Sequence, residues 1–512
     1  MQEPVSQKII RNTLFNIVGR FWSFVLFFIL TPYIIHHIGV ERFGIWTIVS
    51  VLTGYLGLFD LGISTSFVKY IAEYYTHRDY EKINHVVNTG FLFYLIFSFV
   101  VIALAMIFIQ PILSLFNIPP FLYSEAIFVF FLGLVLFGIS NSFNVFGAIQ
   151  NGLQRMDISN QVAIAVSIPS VAGTVIALEY GYGLPGLMIN NAVIILVTSV
   201  INVMVAYRIF PDFKLSPLSL SNRETFRLLF TFGYRVQVAA IAGAIHFQMD
   251  KFLLAFFLNV SRVTYYTVAS QTASSIREIP LLLLRAILPA ASEMDAGKNR
   301  EALHILYFRS MKYIVLVGVC MLTVTFLLAD PFLALWLGTG YETSAMTLKI
   351  LMAGYFFNIL TGPGFFILNG MGKPQYGMRS SILATVMNLI LGIVLVMGIG
   401  YYGVVIGTTL SMITAALYFI VMYHRAMKVP LWDTGKKIFL KPFLSGGLVL
   451  LVMVLPIQQI HSFSWLIFIG LLILIMSLFG AMIVFSRYLD SFDRSMLSRL
   501  NGLTSSPWRQ ER

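Results

Sequence analysis

Charged side chains are scarce in this chain of 512 residues: Asp, Glu, Lys and Arg supply only 11% of it. Soluble domains carry roughly 25%. A water-soluble fold of this size leaves much of its area wet and needs that charge to cover it. Cysteine is nearly absent as well. Cys320 stands alone, which excludes a disulfide framework within the chain and any cysteine metal site. The sequence also lacks a G-x-x-x-x-G-K-[ST] phosphate loop and a His-Glu-x-x-His zinc motif. Gly370-Met-Gly372-Lys373 has the end of the phosphate loop without its first glycine or its hydroxyl, and reads as a turn. No metal and no cofactor are expected, and no covalent catalysis.

Apolar residues are abundant instead, at 58% of the chain, with a mean hydropathy of +0.84. Lipid is the solvent that fits such a composition. The first ten residues are polar, and the apolar stretch from Thr13 to His36 is too long for the core of a cleavable signal peptide. It reads as a retained span. Stretches able to cross ~30 Å of hydrocarbon recur near 13–36, 43–67, 86–109, 121–146, 158–178, 183–207, 228–256, 263–288, 311–329, 344–368, 376–397, 400–423, 438–457 and 463–485. The expected fold class is therefore an all-α integral membrane protein of about fourteen transmembrane helices.

A formal net charge of +12 does not require nucleic acid, because a basic face for DNA needs a soluble platform. Membrane topology explains it. With both termini in the cytoplasm, cytoplasmic segments hold 26 of the 34 Lys and Arg, and the outer side holds Arg42, Arg262 and Lys349. Arg20, Arg235, Lys251, Arg277 and Arg285 fall inside spans. This is a strong positive-inside bias, and it puts both termini on the cytoplasmic side.

The chain also repeats itself. Pro111-Ile-Leu-Ser-Leu-Phe matches Pro331-Phe-Leu-Ala-Leu-Trp at an offset of 220, Asn151-Gly152 matches Asn369-Gly370 at 218, and Gly183-x-x-Gly186 matches Gly400-x-x-Gly403 at 217. An even number of spans per repeat makes the repeats parallel. The expected domains are an N-terminal six-helix lobe at 1–208, a linker at 209–227 and a C-terminal six-helix lobe at 228–424. Two extra helices at 425–486 and a cytoplasmic tail at 487–512 follow, with an amphipathic pattern from Arg487 to Leu500 suited to the membrane interface. Thr361-Gly-Pro-Gly364 should break the tenth span.

Polar stripes run through the spans. The first carries Asn16, Arg20 and Ser23, and the seventh carries Thr231, Arg235, His246 and Asp250, each set on one helical face. Ser50, Thr53, Gly57, Asp60 and Ser64 line the second, and Gln271, Ser274, Arg277 and Glu278 the eighth. A charge at mid-depth costs at least ~2.5–3.5 kcal/mol against lipid, so such groups face water or one another. Arg20, Arg235, Asn16, Ser23, Thr231 and Gln271 are the candidate substrate-binding residues; Asp60, Glu278, His246 and Asp250 are candidates for coupling to H+ or Na+. The competing reading, in which Arg277, Glu278 and Arg285 only snorkel or pair at the membrane edge, stays open. So does simple packing for His246, an interfacial pair for Asp250 and Lys251, and an interfacial role for His36-His37.

The segments Lys8-Ile-Ile-Arg-Asn12, His36-His-Ile-Gly39-Val-Glu-Arg-Phe-Gly44-Ile-Trp46 and Leu58-Phe-Asp60-Leu-Gly62-Ile-Ser64 resemble the polysaccharide transporter (Wzx-like oligosaccharide flippase) family of the MOP superfamily, which includes the MATE exporters. Asn151-Gly-Leu-Gln-Arg155 and Gly183-Leu-Pro-Gly186 fit as well. The resemblance implies a V-shaped transporter that alternates access around a central cavity. Its substrate would be an oligosaccharide on a polyprenyl pyrophosphate, such as an O-antigen unit. Its surroundings would be membrane lipids and glycan polymerase or glycosyltransferase machinery. Arginine in the cavity suits a diphosphate, because it binds phosphate bidentately and stays charged. A peptidoglycan-precursor or teichoic-acid flippase is the near alternative, and a MATE-like multidrug antiporter the distant one. A membrane-embedded glycosyltransferase lacks both a large soluble loop and paired carboxylates here.

Overall fold

The computed structural model describes residues 5–57, 63–284, 287–429 and 431–493, with side chains described except at 5–17, 20, 64–65, 105, 232, 234–247, 282–283 and 431–436. All regular elements among these residues are helical. In chain order they are α1 (Val5–Gly57), α2 (Ile63–Thr76), α3 (Tyr80–Ser114), α4 (Tyr123–Gly152), α5 (Met156–Glu179), α6 (Gly183–Ile209), α7 (Pro217–Leu220) and α8 (Arg223–Phe257). Then follow α9 (Val260–Leu284), α10 (Ile287–Ala296), α11 (Arg300–Leu337), α12 (Glu342–Leu360), α13 (Gly362–Gly370), α14 (Gln375–Ile399), α15 (Tyr401–Met427), α16 (Leu431–Gln458) and α17 (Trp465–Phe485).

Among the described residues, eleven helical stretches are long and apolar enough to cross a membrane. They account for twelve of the fourteen expected spans, because α1 carries the first two with a kink at Gly39, where φ is +80°. The remaining two expected spans fall on the continuous helices α8 and α9. Thr361 divides the expected tenth span into α12 and α13.

Two units share the packing. One comprises residues up to Thr267 with Leu389–Val404; the other comprises Val268–Asn388 and everything from Val405 on. The first is built on Phe67, Ile71, Val87, Phe146, Ile149 and Phe210, the second on Tyr307, Val315, Phe419, Tyr423 and Ile475, all buried. Outward faces stay apolar, as at Phe99, Leu196, Val394 and Leu451, which is what contact with acyl chains requires.

The chain from Phe210 to Asn222, within the expected linker at 209–227, is stapled to α3. Asn84 donates to the Asp212 carbonyl (3.0 Å) and accepts from the Lys214 amide (2.7 Å). Asn88 repeats the pattern with the Lys214 carbonyl and the Ser216 amide, both at 2.7 Å. The two carboxamides stand in for a partner strand. Asn88 is fully buried, so Asn88→Ala leaves two backbone groups unpaired at about 1–3 kcal/mol each. We expect a lowered melting temperature in detergent; an unchanged one removes the strap from the stability of this unit.

The internal repeat is far more detailed in three dimensions than in sequence. Turns before α3 and α11 carry the same hydrogen bonds at an offset of 220: Asp79 N to Tyr74 O with Ile83 N to Asp79 O, and Asn299 N to Met294 O with Leu303 N to Asn299 O. Asp79 and Asn299 cap their helices through the Lys82 and Ala302 amides, and Arg78 and Lys298 both sit at positive φ. The Asn-Gly pairs end α4 and α13 alike. Gly152 leaves no room for a Cβ beside Ile71, nor Gly370 beside Leu288 and Ala291. Positions 71 and 291 differ by the same offset of 220 as the turns.

The residues after α17 fold back onto α11. Lys312 bridges Asp490 (3.3 Å) and Asp493, Tyr313 donates to Asp493 (2.6 Å), and Tyr488 donates to the Ile438 carbonyl (2.9 Å). Burial raises the Asp493 carboxyl, but hydrogen bonds from Lys312, Tyr313 and the Asp490 amide outweigh it and hold it below the usual range. Asp490 is lowered too, chiefly by the Asp493 amide. Such depressed groups contribute above the ordinary carboxylate pKa of 3.8 and lose that contribution as pH falls below it. Asp493→Ala leaves Lys312 with Asp490 alone and takes the acceptor from Tyr313, and should cost about 1–3 kcal/mol. Truncation after Leu500, which spares the latch, should leave melting temperature and transport intact. Loss of either at normal membrane abundance contradicts this assignment.

Candidate functional site

The expected site residues distribute over α1, α8 and α9. The side chains of Asn16, Arg20, Arg235 and His246, and the whole of Asp60, lie outside the described residues. The backbone beside Arg20 is set by close packing: a Cβ on Gly19 would lie 2.6 Å from Asn160 Oδ1 of α5. Trp22 donates to Ser167 of the same helix at 2.7 Å. Ser23 is exposed, its hydroxyl turned back to the Gly19 carbonyl (3.0 Å). Further along α1, Ser50 is exposed and Gly54 borders open space, so the polar face of this helix is not packed away.

On α8, Thr231 is exposed and donates to the Arg227 carbonyl at 2.7 Å. Asp250 is 1% exposed and accepts from the Tyr266 hydroxyl of α9. Tyr55 of α1 lies close enough to feel its charge, and the Tyr55 hydroxyl is buried without a hydrogen-bond partner among the described residues. Lys251 turns aside to Gln248 (2.9 Å). A buried carboxylate bound by a phenol can hold and release a proton or a small cation.

In the second unit, Gln271 is exposed, and Ser275 donates to its carbonyl at 2.8 Å. Arg277 reaches inward: Nε donates to Asn358 of α12 at 2.8 Å, with the guanidinium 5.5 Å from the Tyr355 ring centre. Glu278 is half-buried and engaged. Elsewhere, His37 pairs with Tyr33 O (2.8 Å) beside Glu179 (3.5 Å). No group of three His, Cys, Asp or Glu able to hold a metal occurs among the described residues. Sequence reasoning missed Tyr55, Tyr266 and Asn358. Asn358 was open to discovery as a lone carboxamide in an apolar stretch, whereas tyrosine inside a span carries no such signal.

Residues 9–295 match the family model for polysaccharide biosynthesis proteins, and residues 245–394 match that for MatE. A Shigella flexneri protein named as an O-antigen transporter is 25% identical over 82% of this chain and 99% of its own. A Haloferax volcanii protein named as a low-salt glycan biosynthesis flippase, Agl15, is 24% identical over 36% of this chain and 39% of its own. Among solved structures, the lipid II flippase MurJ in an inward closed conformation covers 93% of this chain and 99% of its own, with a TM-score of 0.68 at 15% identity. An inward-facing multidrug resistance MATE transporter covers 79% and 94%, with a TM-score of 0.65 at 16% identity. At these identities the structural likeness establishes the MOP-type fold and nothing finer.

Proposed function

The chain belongs to the polysaccharide biosynthesis protein family, and on that premise we propose that it is a flippase for a polyprenyl-pyrophosphate-linked oligosaccharide. The observation that carries this reading is the alignment with a relative named as an O-antigen transporter along 99% of that relative's length. The chemistry of the spans supports it. A diphosphate headgroup brings negative charge into the membrane, and Arg20 and Arg235 occupy intramembrane positions on the first helix of each repeat. Repeated caps and turns at a constant offset support movement of two like lobes in alternating access. The protein carries out no covalent step in this scheme. Asp250, buried against Tyr266, is the residue we assign to coupling with H+ or Na+.

The MatE match and the MATE structural likeness favour one other reading, a multidrug antiporter. Cationic spans work against cationic drugs. Expression in a strain lacking its own oligosaccharide flippase separates the two. Restored surface glycan without a rise in drug tolerance supports the proposal; drug tolerance alone sinks it. Location in the cytoplasmic membrane with both termini inside follows from the charge bias. Asn117→Cys, Glu342→Cys and Ser462→Cys should label with impermeant maleimide in intact cells, while Asn222→Cys and Gly435→Cys should not. The reverse pattern inverts the orientation.

Asp250→Asn keeps an acceptor for Tyr266 but cannot ionise. In proteoliposomes it should retain folding and abolish the dependence of flipping on an imposed ion gradient. Unchanged gradient dependence frees Asp250 from the coupling role.

A further inference from the structure

One end of the second unit holds a cavity of about 550 Å³ lined by none of the residues assigned to transport above. Its walls are the starts of α11 and α16 and the residues after α17, and its charged lining is Arg309, Lys312, Lys437, Lys441 and Asp490. Counting Asp493 behind Lys312, four cations face two carboxylates, a surplus of two positive charges. The acids are consumed by Lys312. No carboxylate among the described residues neutralises the other cations. Lys437 and Lys441 are exposed, and Lys441 touches only the Arg487 carbonyl (3.3 Å). Lys437 has no partner among the described residues. Arg309 lies over the Phe492 ring at 3.6 Å, and its Nη1 is buried without an acceptor among the described residues.

The surroundings define what fits. Ile305 and Leu440, on the cavity rim, are 50% and 48% exposed, an apolar surface on the same side as the charges. A free phosphate would satisfy the cations and leave this surface wet. A phospholipid satisfies both, with its phosphate among the amines and its chains along the helices. The three chain segments are also those whose Lys and Arg give the positive-inside bias, so they meet the anionic lipid headgroups of that leaflet.

We propose that this cavity is a binding site for the headgroup of an anionic phospholipid, separate from the transported substrate. The site fastens the α11–α16–tail junction to the bilayer. Each lysine near an anionic surface is worth about fivefold in binding, so losing both should weaken retention roughly twenty-five-fold.

Native mass spectrometry of the full chain, delipidated and titrated with phosphatidylglycerol, provides the test. Wild type should retain the lipid, and phosphatidylcholine should not replace it. The double variant Lys437→Gln/Lys441→Gln should lose retention by the stated factor, while Lys437→Arg/Lys441→Arg restores it. Since both lysines are exposed, melting temperature should stay unchanged in both. Equal retention by wild type and the Gln variant overturns the proposal, as does equal retention of phosphatidylcholine. Displacement of the lipid by millimolar inorganic phosphate also overturns it, by making the cavity a free-phosphate site.

Discussion

Alanine at Arg20 or Arg235 should lower the apparent affinity for the lipid-linked substrate by roughly ten- to a hundredfold, and the double alanine variant should not transport. Charge-assisted hydrogen bonds to a phosphate contribute ~1.5–3 kcal/mol each, which sets that range. Lysine at either position keeps the charge and loses the planar fork, so it should retain part of the activity. Glutamine should behave like alanine. The readout is surface glycan in a flippase-deficient strain, with membrane abundance measured beside it. The structure narrows one side explanation: the backbone at Arg20 is held by the contact between Gly19 and Asn160, so its replacement has no need to disturb α1. Full complementation by both alanine variants would falsify the diphosphate role, and the proposed substrate would lose its physical support in these spans.

Alanine at Gly44 should abolish accumulation of folded protein, whereas alanine at Gly54, ten residues along the same helix, should be neutral or stabilising. A Cβ at Gly44 would lie 2.0 Å from the Val260 carbonyl oxygen and 3.2 Å from Thr264 Oγ1, whereas nothing lies within 4 Å at Gly54. Replacing glycine within a helix gains about 1 kcal/mol. At Gly54 that gain stands alone. At Gly44 it is set against overlap with backbone, which no rotamer change relieves. Overpacking of ordinary side chains already costs about 1–3 kcal/mol. Relief here requires separating α1 from α9 and giving up the Thr264 bond to the Val40 carbonyl (2.7 Å). Fluorescence-detected size exclusion in detergent checks both variants. Equal, monodisperse Gly44→Ala protein would show that the two helices do not approach this closely.

Gly44 illustrates what sequence can and cannot convey. It stood in the segment from His36 to Trp46 that carried the family resemblance, but its reason became visible only with Val260 beside it. Hydropathy found nearly every helix, because lipid imposes a length and a polarity on each one separately. What it could not supply is the pairing of polar groups between helices, such as Asp250 of α8 with Tyr266 of α9. The repeat was visible as three short matches, since only positions with a steric or capping duty must keep their identity. Gly183 and Gly400 share positive φ, and Gly186 and Gly403 share crowding, while the apolar residues between them are free to drift. The strapping of Phe210–Asn222 was not legible because its partners, Asn84 and Asn88, are carboxamides on a distant helix. Arg20 and Arg235 were found by their depth in the spans, by their places on polar helix faces and by their matching positions in the repeat.

The polarity of α8 and α9 bears on how the chain is made. A helix leaving the translocon partitions into lipid according to its own sequence, and each Arg, Lys or Asp near its centre opposes this by ~2.5–3.5 kcal/mol. Helix α8 carries Arg235, Asp250 and Lys251, and α9 carries Arg277 and Glu278, charges that oppose entry of either helix alone. Helix α8 packs against α1, α2 and α3, all synthesised before it. Insertion of α8 is thereby tied to prior assembly of the first spans, and a lesion there should appear as a misinserted middle of the chain.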